Sequence, residues 1–425
     1  KYFDEEMKKL YKIDDLVDID GYVYCEIRKE IYGLKQAAIN WNNEISNWLK
    51  NEGFLQSLYD SQMFVLTSKG DMLILGIYVD DIILIGPKGS TLLTIYQNKL
   101  AERWKMTNGG DLKFILGIKV TRNREIRELK LSQTSYVEKL MVRFNQENSK
   151  DVWTPMVAGE SFSKKDCPEI GSEEQKDMEP KPYRSLIGGL LYCTVTRPDI
   201  SYSVGILAKY LENPSVRMWK AGIRILQYLK TTKHMGIEYS NPNDYKLKTW
   251  IKNSNNDVDI MDLNKTNFFG MCDSDFSKDE DTSRSHTGYV IFLGGAAIAW
   301  SSKKQTCVTQ STSEAEYVAA CACASEIMGL RNQVEIIPGC KQNAPSIILE
   351  DNQGCIFMSK GSSSWIKTKH IRRANHYVKE LVQDKMVTLK YVNTVYQIAD
   401  NLTKPLSVGK FSEFRDLMLG VTKSN

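Results

Sequence analysis

Two sets of acidic residues hold the chemical potential of this 425-residue chain. The first is Asp80 and Asp81, which follow Tyr78 and Val79 between two apolar runs, residues 72–77 and 82–85. Apolar runs hinged on polar residues predict a buried β-hairpin with the carboxylates at its turn. Adjacent ionised carboxylates beside a dry core repel each other and lose solvation, and metal cations relieve both penalties. The alternative is a solvated Asp-Asp turn. The second set is Asp273, Glu316, Asp351 and Asp400. Asp273 follows an apolar strand start, Glu316 lies early in a long helical run, Asp351 closes an apolar strand, and Asp400 stands near the start of the last helix. An α/β sheet can gather strand ends and helix starts over one edge. Four converging carboxylates stay ionised together only with cations, and two divalent ions about 4 Å apart would satisfy them. Such a pair activates a water on one side of a phosphodiester and stabilises the leaving oxygen on the other. Without convergence, each acid is a helix cap or a surface group.

Basic residues and histidines add less. His376 could protonate a leaving group near the carboxylates. His370, six residues earlier, falls on a different helical face, so the two do not share a metal. A structural or exposed histidine is the plain alternative. Arg372 and Arg373 beside His370 form the densest basic site, suited to phosphate contacts or to an ordinary solvated face.

The elements that must hold these groups follow from periodicity. Ile39, Trp41, Ile45, Trp48 and Leu49 share one helical face. Residues 64–66 read as a strand, 91–105 as a helix, 111–120 as a strand and 131–145 as a helix with its lead-in. Gly, Ser, Lys, Glu and Pro dominate residues 156–182, which predicts a linker. Helices are expected over 183–195, 200–210 and 216–229, then an Asn- and Asp-rich loop or insertion over 241–267. Strands at 268–272, 288–293 and 297–301, a helix at 312–332, a strand at 347–349, a helix near 370–382, a strand at 387–392 and a helix from about Ile398 complete the chain. The expected fold class is α+β or mixed α/β, in several domains.

Composition sets bounds. Hydrophobic residues at 42% and charged residues at 25% describe an ordinary globular protein, and a net charge of +4 permits a nucleic-acid partner without arguing for one. The nine cysteines are odd in number and contain no C-x-x-C pair, which points to a reducing, intracellular compartment. No apolar run approaches the ~18 residues of a membrane span, and no targeting signal opens the chain. The first residue is Lys1, so the sequence reads as a fragment of something longer.

Taken together, the motifs resemble the reverse transcriptase–ribonuclease H region of copia-type LTR retrotransposon Pol polyproteins. Tyr32, Gly33, Leu34, Lys35 and Gln36 with Trp41 resemble the family's Y-G-L-K-Q…W segment, and Tyr78 to Asp81 its Y-V-D-D box. Phe114 to Ile118 resemble F-L-G-I, Leu131 to Gln133 with Tyr136 resemble L-S-Q..Y, and residues 183–188 and 196–200 resemble the connecting region. Asp273-Ser274-Asp275, Arg284-Ser285 with Gly288-Tyr289, residues 300–305, Ser313 to Tyr317, Asp351-Asn352-Gln353, Lys369-His370-Ile371 and Ala399 to Lys404 resemble the ribonuclease H motifs in order.

This resemblance implies a partial fingers and palm over 1–122, a thumb-like piece over 123–155, the linker 156–182, a connection over 183–240, the insertion 241–267 and a ribonuclease H-like domain over 268–425. It implies that Asp80 and Asp81 hold catalytic magnesium, with Tyr32, Gly33, Lys35, Gln36 and Tyr78 near template and nucleotide. It also implies Asp273, Glu316, Asp351 and Asp400 as ligands of two magnesium ions per site, with manganese able to substitute and His376 assisting. Asp275 and Glu314 remain open as alternatives to Asp273 and Glu316. The implied partners are an RNA–DNA hybrid, an RNA template and a DNA primer, with no membrane, in a cytoplasmic particle or the nucleus.

The chain also departs from the pattern. The family's third polymerase carboxylate, in a D-V-K-x-A-F-L type strand, has no match and is expected upstream of Lys1. Ala38 and Ile39 stand where Pro-Arg is usual, residues 371–376 replace I-D-I-R-Y-H, and Phe276 replaces Trp. The reading is therefore a retroelement fragment with ribonuclease H activity and an incomplete polymerase. Its alternative is a decayed, inactive remnant that at most binds nucleic acid.

Overall fold

The computed structural model describes residues 35–240, 246–254, 268–361 and 377–421, with a few isolated positions before residue 24. The chain forms two compact units, residues 1–107 and 108–425. The break falls before residue 108 rather than at 122, because the strands after it form a meander whose last member, Glu128–Ser132, pairs with Ile237–Tyr239.

In the first unit, β1 (Leu55–Gln56), β2 (Met63–Ser68), β3 (Asp71–Tyr78) and β4 (Asp81–Ile85) make an antiparallel sheet in sequence order. Alternation along β3 buries Leu73, Leu75 and Ile77 on one face. The helices Lys35–Asn51 and Thr91–Trp104 cover that face with Ile45, Leu49, Leu92, Tyr96 and Leu100. Ser90 caps the second helix by accepting from the Leu93 N–H at 3.1 Å.

The second unit begins with β5 (Phe114–Ile115), β6 (Ile118–Asn123) and β7 (Glu128–Ser132). The single strand expected over 111–120 is a hairpin, turned by Leu116 (φ 49°) and Gly117 (φ 71°). A later strand, β8 (Ile237–Tyr239), pairs with β7 and completes this sheet. Between them the helices Thr134–Arg143, Tyr183–Cys193, Ser201–Leu207 and Val216–Thr231 share one core. The stretch 156–182 is no linker: it buries Met156, Phe162 and Met178 in that core and folds a helix over Glu173–Met178. Its apolar side chains are sparse but long enough to anchor a polar segment. A helix, Lys246–Ser254, likewise lies within the stretch read as a loop, burying Leu247 and Ile251. The Arg197 guanidinium is fully buried, forked onto Asp199 at 2.7 and 3.0 Å, while the Tyr228 hydroxyl also donates to Asp199.

The largest sheet follows: β9 (Phe269–Asp275), β10 (His286–Leu293), β11 (Ala296–Lys304), β12 (Ser346–Glu350) and β13 (Val387–Tyr391). Its order is β11-β10-β9-β12-β13, antiparallel on the β11 side and parallel where β12 joins β9 and β13. The helix Thr312–Glu335 packs Ala319, Ala320, Cys323, Ala324 and Ile327 on one face. It can sit close because a Cβ on Gly270 would meet the Cys323 sulfur at 2.6 Å. The opposite face is covered by Leu402 and by the C-terminal helix Val408–Leu419. That helix puts Phe414, Leu417 and Met418 into the sheet's core and Phe411 into the helical core described above. Residues 398–402 form a single 3-10 turn rather than the start of the last helix. Among the described residues, no helix is long and apolar enough to cross a membrane.

Candidate metal centre

Three elements bring three of the expected acids together. Asp273 projects from β9, Glu316 from the first turns of the helix Thr312–Glu335, and Asp351 from the residue after β12. One ligand oxygen from each lies within 4.8 Å of the others. The parallel pairing of β9 with β12 is what sets Asp273 and Asp351 side by side at one sheet end.

The helix start also separates Glu316 from Glu314. Ser311 caps the helix by accepting from the Glu314 N–H at 3.2 Å, and the Glu314 carboxylate accepts from the Gln310 N–H at 2.7 Å. Glu314 is thus engaged with the helix terminus. Glu316 is 4% exposed, and its Oε2 has no hydrogen-bond partner. Asp275 shares a strand face with Asp273 but lies outside the three-acid group and is less buried.

Asp400 lies outside the three-acid group and approaches it by another route. In the register of β9 and β10, Gly288 stands opposite Asp273. A Cβ on Gly288 would meet Thr403 Cγ2 at 2.7 Å and Leu402 Cβ at 2.9 Å, so only glycine lets the turn 398–402 lie against the sheet here. Gln397 Nε2 donates to the Cys272 carbonyl at 2.8 Å, Ser302 Oγ donates to the Leu402 carbonyl at 2.7 Å, and the Thr403 hydroxyl donates to Asp273. The turn is pinned on three sides. Asp400 is buried, with Oδ1 2.8 Å from Lys404 Nζ and Oδ2 2.9 Å from Lys410 Nζ. Lys404 Nζ lies 3.8 Å from Asp273 as well.

Electrostatics record the crowding. Burial, then the charge of Asp400, pushes the Asp273 carboxyl up to about 7. Burial, then Glu350, Asp273 and Asp351, pushes Glu316 up to about 11. Burial raises Asp351 also. Behind them Glu350 is wholly buried, taking the Cys272 thiol at 3.1 Å and the Asn352 N–H at 3.1 Å, and burial raises it well above the carboxylate range. An orphaned, buried carboxylate oxygen and three acids with raised pKa values are what a hard divalent cation with oxygen ligands would relieve, so the residues present fit magnesium or manganese.

The hairpin acids are placed differently. Tyr78 and Asp81 pair at the strand ends, and Val79 and Asp80 make the two-residue turn. Tyr78, Val79, Asp80 and Asp81 are all exposed, so the expectation of a buried hairpin holds only for one face of β3. Val79 has φ 52°, a strained value for a β-branched residue, and its carbonyl accepts the Trp41 indole N–H at 2.8 Å. Trp41 in turn packs edge-on against Trp104. Among the described residues, no third acid joins Asp80 and Asp81 in a metal-sized group. Gln36 is exposed on the helix Lys35–Asn51. Tyr32, Gly33, the Lys35 side chain, His370, Arg372, Arg373 and His376 lie outside the described residues.

Gly288, Thr403, Lys404 and Lys410 were not singled out from the sequence as site residues. Gly288, Thr403 and Lys404 sit inside quoted motifs, and the i, i+4 spacing of Asp400 and Lys404 was the available signal for that pair.

Comparison with known proteins adds a family. Residues 13–158 match the family model described as reverse transcriptase (RNA-dependent DNA polymerase). The chain is 34% identical over 399 residues to the retrovirus-related Pol polyprotein from transposon TNT 1-94 of Nicotiana tabacum, covering 93% of this chain and 28% of the relative. It is 33% identical over 406 residues to that from transposon RE1 of Arabidopsis thaliana, covering 96% and 25%. The chain thus spans about a quarter of the length of these curated relatives. A solved ribonuclease H1 from the halophilic archaeon Halobacterium salinarum aligns with 32% of this chain and 93% of its own, at 16% identity and a TM-score of 0.25.

Proposed function

Because the chain belongs to the Pol polyprotein family of copia-type LTR retrotransposons, in the reverse transcriptase–ribonuclease H region, we propose that it hydrolyses the RNA strand of RNA–DNA hybrids. The observation that supports this best is the convergence of Asp273, Glu316 and Asp351, with ligand oxygens within 4.8 Å of one another. Those three would hold one magnesium or manganese ion, and Asp273 with Asp400 would hold the second that the family resemblance implies. Bound ions supply an activated water and charge stabilisation for the leaving oxygen.

The chain's own residues do the rest. Glu350 and the helix Thr312–Glu335 exclude water behind the acids. Thr403 orients Asp273 by donating to it, and Gly288 lets the turn carrying Asp400 lie against the sheet. His376 is proposed to deliver a proton to the leaving group. On the polymerase side, Asp80 and Asp81 are proposed as magnesium ligands by descent, with Tyr32, Gly33, Lys35, Gln36 and Tyr78 toward an RNA template, DNA primer and nucleotide. With no third acid beside the pair among the described residues, the chain on its own is not expected to extend a primer.

The test is cleavage of an end-labelled RNA–DNA hybrid in magnesium, with Asp351→Asn as the inactive control. Folded protein that leaves the hybrid intact across magnesium and manganese titrations would sink the proposal in favour of an inactive remnant.

A further inference from the structure

We propose that Lys404 and Lys410 are built-in cations at the Asp400 side of this site, so that the resting protein takes up a single divalent ion and admits a second only by displacing the Lys404 ammonium. The inference rests on the nuclease reading above. Its ground is an asymmetry within the acidic group. Both Asp400 oxygens stand at ion-pair distance from a lysine, Oδ1 2.8 Å from Lys404 Nζ and Oδ2 2.9 Å from Lys410 Nζ, although Oδ1 accepts no aligned hydrogen bond. Lys404 Nζ also stands 3.8 Å from Asp273 Oδ2, which puts one ammonium between the two carboxylates that a second ion would have to share. On the other side, no Lys or Arg among the described residues forms an ion pair with Glu316 or Asp351. One half of the site is already neutralised and the other is open.

The lysines are held in place by the fold. Lys404 follows the pinned turn directly, and the backbone N–H of Lys404 donates to the Asp400 carbonyl at 3.1 Å. Lys410 lies in the helix Val408–Leu419, with its ammonium 5.1 Å from the centre of the Phe414 ring. Both lysine side chains are about one-third exposed, so water screens them only in part. Once an ion is bound and the four carboxylates are ionised, two ammonium groups and that one divalent ion balance them. A second divalent ion would leave two uncompensated positive charges in a mostly enclosed space, which opposes its entry.

The experiment is to count manganese bound to the folded full chain without substrate, by the electron paramagnetic resonance signal of the free ion. The wild type is expected to bind one ion. Lys404→Met is expected to bind two, or to tighten the second step by at least about tenfold, because a unit positive charge at ~4 Å has gone. Lys404→Arg is expected to keep one, and Lys410→Met to move in the direction of Lys404→Met by less. Two ions on the wild type, with affinities unchanged in Lys404→Met, overturn the inference and leave the nuclease reading standing. No ion on the wild type overturns the nuclease reading itself. If Lys404→Met is unfolded without metal, its melting temperature across the manganese titration decides: a rise larger than the wild type's supports the inference, and an equal rise overturns it.

Discussion

The two acidic groups of this molecule read alike as sequence and differ in almost every physical respect. Asp80 and Asp81 sit in an exposed two-residue turn, built by residues a few positions apart. Asp273, Glu316, Asp351 and Asp400 are drawn from two strand ends, a helix start and a 3-10 turn, across more than a hundred residues of chain. The first pair is already solvated, and the second group has given up water and taken partial compensation from Thr403, Lys404 and Lys410. Acids in a turn cost little to keep. Acids gathered in a core persist at a standing cost in stability, and that cost is itself the sign of what they are arranged to bind.

The sharpest way to break the contrast is substitution on each side. Asp351→Asn is expected to lower hybrid cleavage by at least about a thousandfold, equivalent to losing roughly 4 kcal/mol of transition-state stabilisation. Asp80→Asn is expected to leave cleavage unchanged. Equal losses from both would erase the distinction. A pH series comes next. The Asp273 carboxyl is raised from the ordinary 3.8 to about 7, so the folded state holds a proton that the unfolded chain has released. Stability of the metal-free protein is therefore highest below pH ~4 as far as this group is concerned, falls as pH rises toward 7, and levels off above, by a few kcal/mol at most. Saturating magnesium should flatten that slope in thermal melts, and a slope unchanged by magnesium would count against ion binding at Asp273.

Smaller effects probe the supports. Gly288→Ala places a methyl against Thr403 and Leu402, and the urea midpoint should drop by the equivalent of ~1–3 kcal/mol, with weaker stabilisation by magnesium. If only the midpoint moves, the turn carrying Asp400 has adjusted without disturbing the acids. On the other side, Val79→Gly removes strain at φ 52° and should leave the first unit's stability the same or raise it by up to ~1 kcal/mol. A clear loss there would show that the Val79 side chain holds the turn through contacts that outweigh its backbone cost.

Much of this arrangement is legible in the sequence. The sequence sets all four acids at strand ends or helix starts, where Asp273 in fact lies within β9 and Asp400 in a 3-10 turn, and apolar alternation locates β3, β9, β10 and β12 to within a few residues. What could not be read depends on contacts between distant positions. Periodicity left Glu314 and Glu316 open, and the helix cap at Ser311 separated them. Composition made residues 156–182 a linker, since Met156, Phe162 and Met178 are too sparse to show a period, yet each finds a place in the helical core. The strand read over 111–120 split because Leu116 adopts a backbone conformation that its residue type does not advertise. Gly288 could be seen as a glycine but not as the gap through which Asp400 approaches Asp273.

The C-terminal helix Val408–Leu419 divides its apolar face, giving Phe411 to the helical core and Phe414, Leu417 and Met418 to the core of the large sheet. An element shared in this way makes the two cores a single inheritance. Removing either core would leave part of that helix face in water, so the acidic centre does not separate cleanly from the helical block. That couples the stability of the sheet carrying the acids to the helical block beside it, and a destabilising change in either core would be felt by both.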